Sequence, residues 1–325
     1  MIKKIIDFVV SLFSPLNKDN KTKNIKSVNN SVYCQTFKMS FDNSLRTLKT
    51  GLIKDPEDNR DLIKTSISLK EKGQDIVNVQ NNVAKEFSLR KYAPSTKLFN
   101  QRSTSACGGF SGSAFIYIII RRMEELSGNT IDSVCDLLSP LWIYWYARKY
   151  DNFGSEKRDD GTTLRSVMKA LKEPGVLFDK YFSFSKNTPL MEPGPGLLDI
   201  PRFKIEDYCR INMCKGDKTI YEVKDVLCNE QLPIEAGILL YEEQMTNFRW
   251  NGYLKPVDLR TAHCIGGHAV CITGYKMDNK GQCWVEFINS WGESFGDEGY
   301  GYFPVEWLND RNYIMDLWTV DKGYF

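Results

Sequence analysis

Only two histidines, His263 and His268, occur in 325 residues, so any mechanism that moves a proton through an imidazole must use one of them. The nine cysteines contain no Cys-x-x-Cys pair, which argues against thioredoxin-type redox chemistry and the common zinc ribbons. Nine thiols are too sparse for a disulfide-stapled small domain, and the odd count leaves at least one unpaired or bonded to another molecule. Net charge is nearly absent too, with 43 Lys and Arg interleaved with 41 Asp and Glu. Nucleic-acid binding calls for a concentrated basic surface, so no such partner is expected. What remains is the balance of a globular chain, 42% apolar and 26% charged, which excludes general disorder and multi-span membrane architecture. At this length about two domains are expected.

Residues 2–13 place Ile5, Val9, Leu12 and Phe13 on one helical face and Lys4, Asp7 and Ser11 on another. This amphipathic helix is too short to cross a bilayer, which needs ~20 apolar residues. It is expected to dock on the protein's own surface, with peripheral membrane contact the alternative. Asp7 interrupts the apolar run and no small-residue cleavage site follows, so a secretory signal is not expected. Residues 17–31 read as a solvated linker.

Folding signals strengthen after about residue 90. A helix is expected from Ser105 to Ser127, apolar or small through Ile120, charged from Arg121 to Glu125 and stopped by Gly128. Further helices are expected from Pro140 to Tyr150, and from near Gly161 to the stop at Pro174-Gly175. Residues 185–201 hold four prolines and two glycines, the mark of a long irregular connection and of a domain boundary. Strands then follow at 233–241, 267–275, 283–291 and 300–305. Helices first and strands second imply two unlike halves, an α+β chain.

Cys107 falls on the first turn of the long helix, where free N–H groups and the helix dipole favour an anion; its thiol is expected below the usual ~8.5. The alternative is a buried, inert cysteine. The strands 267–275 and 283–291 flank a turn-rich loop, 276–282, suited to a hairpin. A turn centred between Asp278 and Asn279 pairs 268 with 289, 270 with 287 and 272 with 285. Cβ atoms across such a pair lie ~5 Å apart, so Asn289 can orient His268 toward a nucleophile. Cys264, His268, Cys271 and Cys283 have ligand-like spacing, but alternation sends His268 and Cys271 to opposite faces, so no metal site is expected. His263 reads as a loop or satisfied core residue.

Three ordered motifs, Gln101-x5-Cys107 at the head of a helix, Gly267-His268-Ala269-Val270, and Asn289-Ser290-Trp291-Gly292, resemble the papain and cathepsin family of cysteine peptidases. The resemblance covers roughly residues 88–325. It implies the papain-like two-domain fold, a helical half against a β-barrel-like half with the cleft between. The implied division is 1–87 as an N-terminal extension and possible propeptide, 88–200 as the helical half with the nucleophile, and 201–325 as the β-rich half with His and Asn. The implied roles are Cys107 as nucleophile, His268 as general base and acid, Asn289 as its orienter and Gln101 as an oxyanion donor. Trp291 would shield the His268 to Asn289 bond, and Ala269 would contribute a pocket wall. The segments 138–140 and 160–165 also resemble that family, and 55–61 and 299–304 look most like its microbial and viral branches. With no convincing signal peptide, a cytoplasmic or virion-associated setting is slightly favoured over secretion.

The sequence departs from the family pattern in four places. Gly108 stands where an aromatic residue usually follows the nucleophile, and Thr104 where secreted members have a disulfide cysteine. Gly267 precedes the histidine in place of an acidic or Asn residue, and no glycine-rich segment for pairing with substrate backbone is recognisable. Cys107 and His268 are 161 residues apart against ~130 to 150 for the type, so an insertion is expected within 185–201 or 243–262. The expected activity is hydrolysis of a peptide or protein substrate through a thiol acyl-enzyme, with no cofactor. A catalytically silent binding module and a thiol acyltransferase are the rivals.

Overall fold

The computed structural model describes residues 49–64, 84–128, 137–151, 157–185, 187–214 and 216–321. The helix expected over 2–13 and the linker over 17–31 lie outside these residues.

Five helices are described: α1 (Cys107–Ser127), α2 (Pro140–Asp151), α3 (Leu164–Lys172), α4 (Lys218–Cys228) and α5 (Glu242–Asn251). α1 is apolar on every side through Ile120 because it is enclosed by α2 and α3 on one flank and by the sheet on the other. Its charged last turn, Arg121 to Glu125, emerges from this enclosure, and Gly128 ends it at φ 66°, a left-handed cap. Thr163 caps α3 by accepting from the Ser166 N–H.

The strands are β1 (Leu52–Ile53), β2 (Phe87–Ser88), β3 (Thr162–Thr163), β4 (Cys209–Arg210), β5 (Ile234–Tyr241), β6 (Cys264–Met277), β7 (Cys283–Ile288), β8 (Tyr300–Pro304) and β9 (Ile314–Thr319). They run in the order β3-β1-β6-β5-β9-β4, with β7 joined to β6 and β8 to β7. The 14-residue β6 is the spine of this curled sheet. Its inner face and that of β5 bury Val270, Ile272, Ala236 and Ile238, a core of apolar area withdrawn from water. The class is α+β, with helices α1 to α3 packed against the sheet.

The hairpin forms, but in a different register from the one expected. Met277 pairs with Cys283 and Ile272 with Phe287, and a bulge lies between Ile272 and Gly274. The reason is a five-residue turn, 278–282, rather than a tight one. Asp278 closes it by accepting from the N–H groups of Lys280 and Gln282 and from Trp284 Nε1. His268 therefore does not face Asn289 across the ladder; Asn289 lies just past the end of β7 and reaches His268 from there.

Residues 49–64, which precede the stretch where folding signals strengthen, are packed into the molecule. β1 lies between β3, which it joins in parallel, and β6, which it joins antiparallel through Leu52 and Gly267. Downstream, Asp55 accepts from the Arg165 N–H and from Trp318 Nε1, and its own N–H donates to Asp316. Asp61 takes Arg165 in a two-pronged ion pair, Nε at 2.9 Å and Nη2 at 2.6 Å. Lys64 is buried against Glu230 at 2.8 Å, with both side chains 1% exposed.

Candidate active site

Four of the predicted residues converge where α1 meets β6. Cys107 begins α1 with no side chain capping Ala106. Its thiol is fully buried and lies against the backbone N–H groups of Ala269, Gly51 and Gly108. Ala269 thus presents its backbone to the sulfur, while its side chain is 1% exposed in the core.

His268 Nε2 is 2.8 Å from Asn289 Oδ1. The same oxygen accepts from the Ser290 N–H at 2.8 Å, which identifies it as the carbonyl end of the amide. An oxygen of that kind only accepts, so Nε2 carries the ring proton and Nδ1 is left with its lone pair. Nδ1 is buried without a hydrogen-bond partner. Trp291 covers the imidazole, its ring centroid 4.9 Å away at 31°, and is itself held edge-on by Phe248 and Phe295.

Gln101 is fully buried, and its amide is fixed at both ends. Oε1 accepts from Ser290 Oγ at 2.5 Å, and Nε2 donates to Thr104 O at 2.8 Å and to Lys49 O at 3.1 Å. Ser290, to which sequence reasoning assigned no role, therefore orients both Asn289 and Gln101. The Asn-Ser-Trp-Gly motif contained it, but a serine beside a polar pair carries no periodic or spacing signal.

The Lys49 contact belongs to a larger feature that the sequence did not disclose. Residues 49–53 run through the cleft as a strap over Cys107. Thr50 Oγ1 donates to Ile265 O at 3.0 Å, and the Thr162 N–H donates to Gly51 O at 2.9 Å. Leu52 is buried between β3 and β6, where a Cβ on Gly237 would stand 2.5 Å from its Cδ2. The fit at Gly51 is tighter still: a Cβ there would meet Ser105 O at 2.2 Å. Residues 161–163 pair with the backbone of this strap, with Gly161 at φ 97° close against Gly51.

Contrary to the expectation from the sequence, the helix terminus does not bring the thiol below its usual value. Burial pushes Cys107 up to about 11, against the opposing pull of the three N–H groups, and pushes His268 down to about 4, opposed by Asn289. In this covered state both groups are neutral; the helix terminus alone does not ionise a sulfur removed from water.

The departures also have local reasons. A Cβ at Gly108 would lie 2.8 Å from Thr162 Cγ2, so Thr162 fills the space beside the nucleophile. The turn before Cys107 is tethered by Asp159, whose carboxylate accepts from the Ser105 N–H at 3.0 and 3.1 Å. Of the two windows expected to hold an insertion, 243–262 contains most of α5, Glu242–Asn251. His263 is an exposed loop residue whose backbone N–H donates to Glu243. Among the described residues no cluster of three or more His, Cys, Asp or Glu could hold a metal ion.

A sequence model of the papain family cysteine proteases matches residues 206–310. An uncharacterized peptidase C1-like protein of Acanthamoeba polyphaga mimivirus is 24% identical over 293 residues, 86% of this chain and 89% of that one. Xylellain, a cysteine protease from Xylella fastidiosa, superposes with a TM-score of 0.67 at 22% identity, covering 84% of this chain and 95% of its own. Digestive procathepsin L 3 of Tenebrio molitor superposes at 0.56 and 17% identity, over 81% and 75% of the two chains. The fold is papain-like. By family model, viral relative and bacterial structural neighbour together, the chain resembles the papain-like cysteine peptidases.

Proposed function

We propose that the chain hydrolyses peptide bonds with Cys107 as nucleophile, His268 as proton acceptor and donor, Asn289 as its orienter and Gln101 as oxyanion donor. The observation that carries this reading is the His268 to Asn289 bond, which leaves Nδ1 bare, together with the Cys107 thiol lying against the backbone N–H of the residue after His268, Ala269. In our reading the division follows the two halves, 88–200 and 201–325, preceded by an extension, 1–87, that supplies the strap.

The strap must leave before a substrate enters. Water then reaches the sulfur, the cost of charge falls, and once a substrate is seated the Cys107 proton passes to His268 Nδ1. The thiolate attacks the scissile carbonyl, and the Gln101 amide and the Cys107 N–H hold the oxygen that becomes negative. Losing one such donor typically costs ~2.7 to 4 kcal/mol of barrier. His268 gives its proton to the leaving amine, and a water deprotonated by the same nitrogen releases the acid. Trp291 keeps water from the bond that orients the imidazole.

The test is release of aminocoumarin from a panel of fluorogenic dipeptides by the full chain and by Cys107→Ala, both checked for unchanged circular dichroism. Loss of release in Cys107→Ala supports the reading; equal release refutes it. Tight binding without release in the unsubstituted chain would indicate a silent module, and an amine adduct in place of free acid a transferase.

A further inference from the structure

We propose that Asp159 makes this cleft selective for a basic side chain on the residue whose carbonyl is held by Gln101; the inference rests on the peptidase reading of the same site. The strap supplies the evidence, because its Lys49 already occupies both positions. Lys49 O accepts from Gln101 Nε2 at 3.1 Å, while Lys49 Nζ lies 3.0 Å from Asp159 Oδ2 and 3.0 Å from Asp159 O. A residue seated on the oxyanion donor can therefore deliver a cation to this carboxylate and the carbonyl behind it.

Asp159 is held ready for that role. The Ser105 N–H and Tyr144 Oη donate to the carboxylate, the latter at 2.8 Å to Oδ1, and Ser105 Oγ donates to the Asp159 carbonyl. Oδ2 is thereby presented to the cleft with the side chain 20% exposed and Lys49 19%. When the strap withdraws, its ammonium leaves with it, and a fixed, partly desolvated carboxylate faces the incoming peptide. A lysine or arginine restores the pair, whereas a neutral side chain covers the charge without compensating it. One partly buried, charge-assisted hydrogen bond of this kind is worth about tenfold in affinity.

The test reads binding apart from chemistry, in the full chain carrying Cys107→Ala. Two fluorescein-labelled pentapeptides are compared by polarisation, identical except for arginine or norleucine following a leucine. The strap competes equally with both, so the ratio of affinities reports the pocket. We expect the arginine peptide to bind about tenfold tighter, and the added Asp159→Asn, which keeps an acceptor for Ser105 and Tyr144, to bring the ratio near one. Lys49→Gln should tighten both peptides and leave the ratio unchanged. Equal affinities at the outset, a ratio that survives Asp159→Asn, no response to Lys49→Gln, or no binding of either peptide would each overturn the proposal. Hydrolysis by the chain with Cys107 intact separates the two readings. Selective binding without hydrolysis removes the peptidase and leaves Asp159; hydrolysis of both peptides alike does the reverse.

Discussion

The two parts of the segment 49–64 are held by different physics. Residues 49–53 are fastened by backbone hydrogen bonds, one threonine hydroxyl and a partly exposed ion pair, contacts that water or a peptide can replace. Residues 55–64 are fastened by carboxylates and ammonium groups taken out of water: Asp55 with Trp318 and Arg165, Asp61 with Arg165 and Arg210, and Lys64 with Glu230. Nothing in solvent substitutes cheaply for those partners. One part is suited to leave the cleft, the other to stay.

Four substitutions or conditions sharpen that contrast. Lys64→Ala strands Glu230 in the interior and should cost ~3 to 5 kcal/mol of global stability, read as a lower midpoint in urea. A drop of less than ~1 kcal/mol would mean the anchor is not one. Acid should act on the strap instead. His268 is depressed to about 4 while covered and recovers toward ~6.5 when hydrated, so the uncovered state binds more protons between those values. Covering is fully favoured above about 6.5 and weakens as pH falls toward 4, by up to ~3 kcal/mol if the strap supplies most of the burial. Limited proteolysis within residues 49–53 should therefore quicken between pH 6.5 and 4 before the far-ultraviolet circular dichroism changes; simultaneous change would contradict this.

Gly51→Ala places a methyl carbon against Ser105 O and should loosen the strap by at least ~1.4 kcal/mol, tenfold in opening. Iodoacetamide labelling of Cys107 at pH 7 would rise by that factor with the unfolding midpoint nearly unchanged. Thr50→Val removes the bond to Ile265 O and should give the smallest effect, ~1 kcal/mol or about fivefold faster labelling. If Thr50→Val exceeded Gly51→Ala, close packing would not be what seats the strap.

Local pattern points to Cys107 and His268, because a helix head and a strand are contiguous stretches with their own periodicity; Asn289 comes through a register that the hairpin does not adopt, and Gln101 through the family resemblance alone. Local pattern also gave α1 its end at Gly128. The pairing register failed because a side chain in the turn, Asp278, selects a five-residue loop and a bulge absorbs the offset. The strap was illegible for a different reason. β1 and β3 are two residues each, too short for alternation to register, and Lys49 to Asp159 and Thr50 to Ile265 join positions 110 and 215 residues apart. The neutral state of Cys107 was illegible as well, since it rests on burial, which outweighs the helix terminus.

The most direct measurement is a rapid acid quench of the full chain turning over a leucyl-arginine nitrophenyl ester, followed by mass mapping of the digested protein. Esters accumulate the acyl-enzyme because its hydrolysis is the slow step. The account predicts a peptidyl adduct on Cys107 as a thioester that hydroxylamine removes. Steady hydrolysis with Cys107 unmodified, or an adduct on another residue, would contradict it.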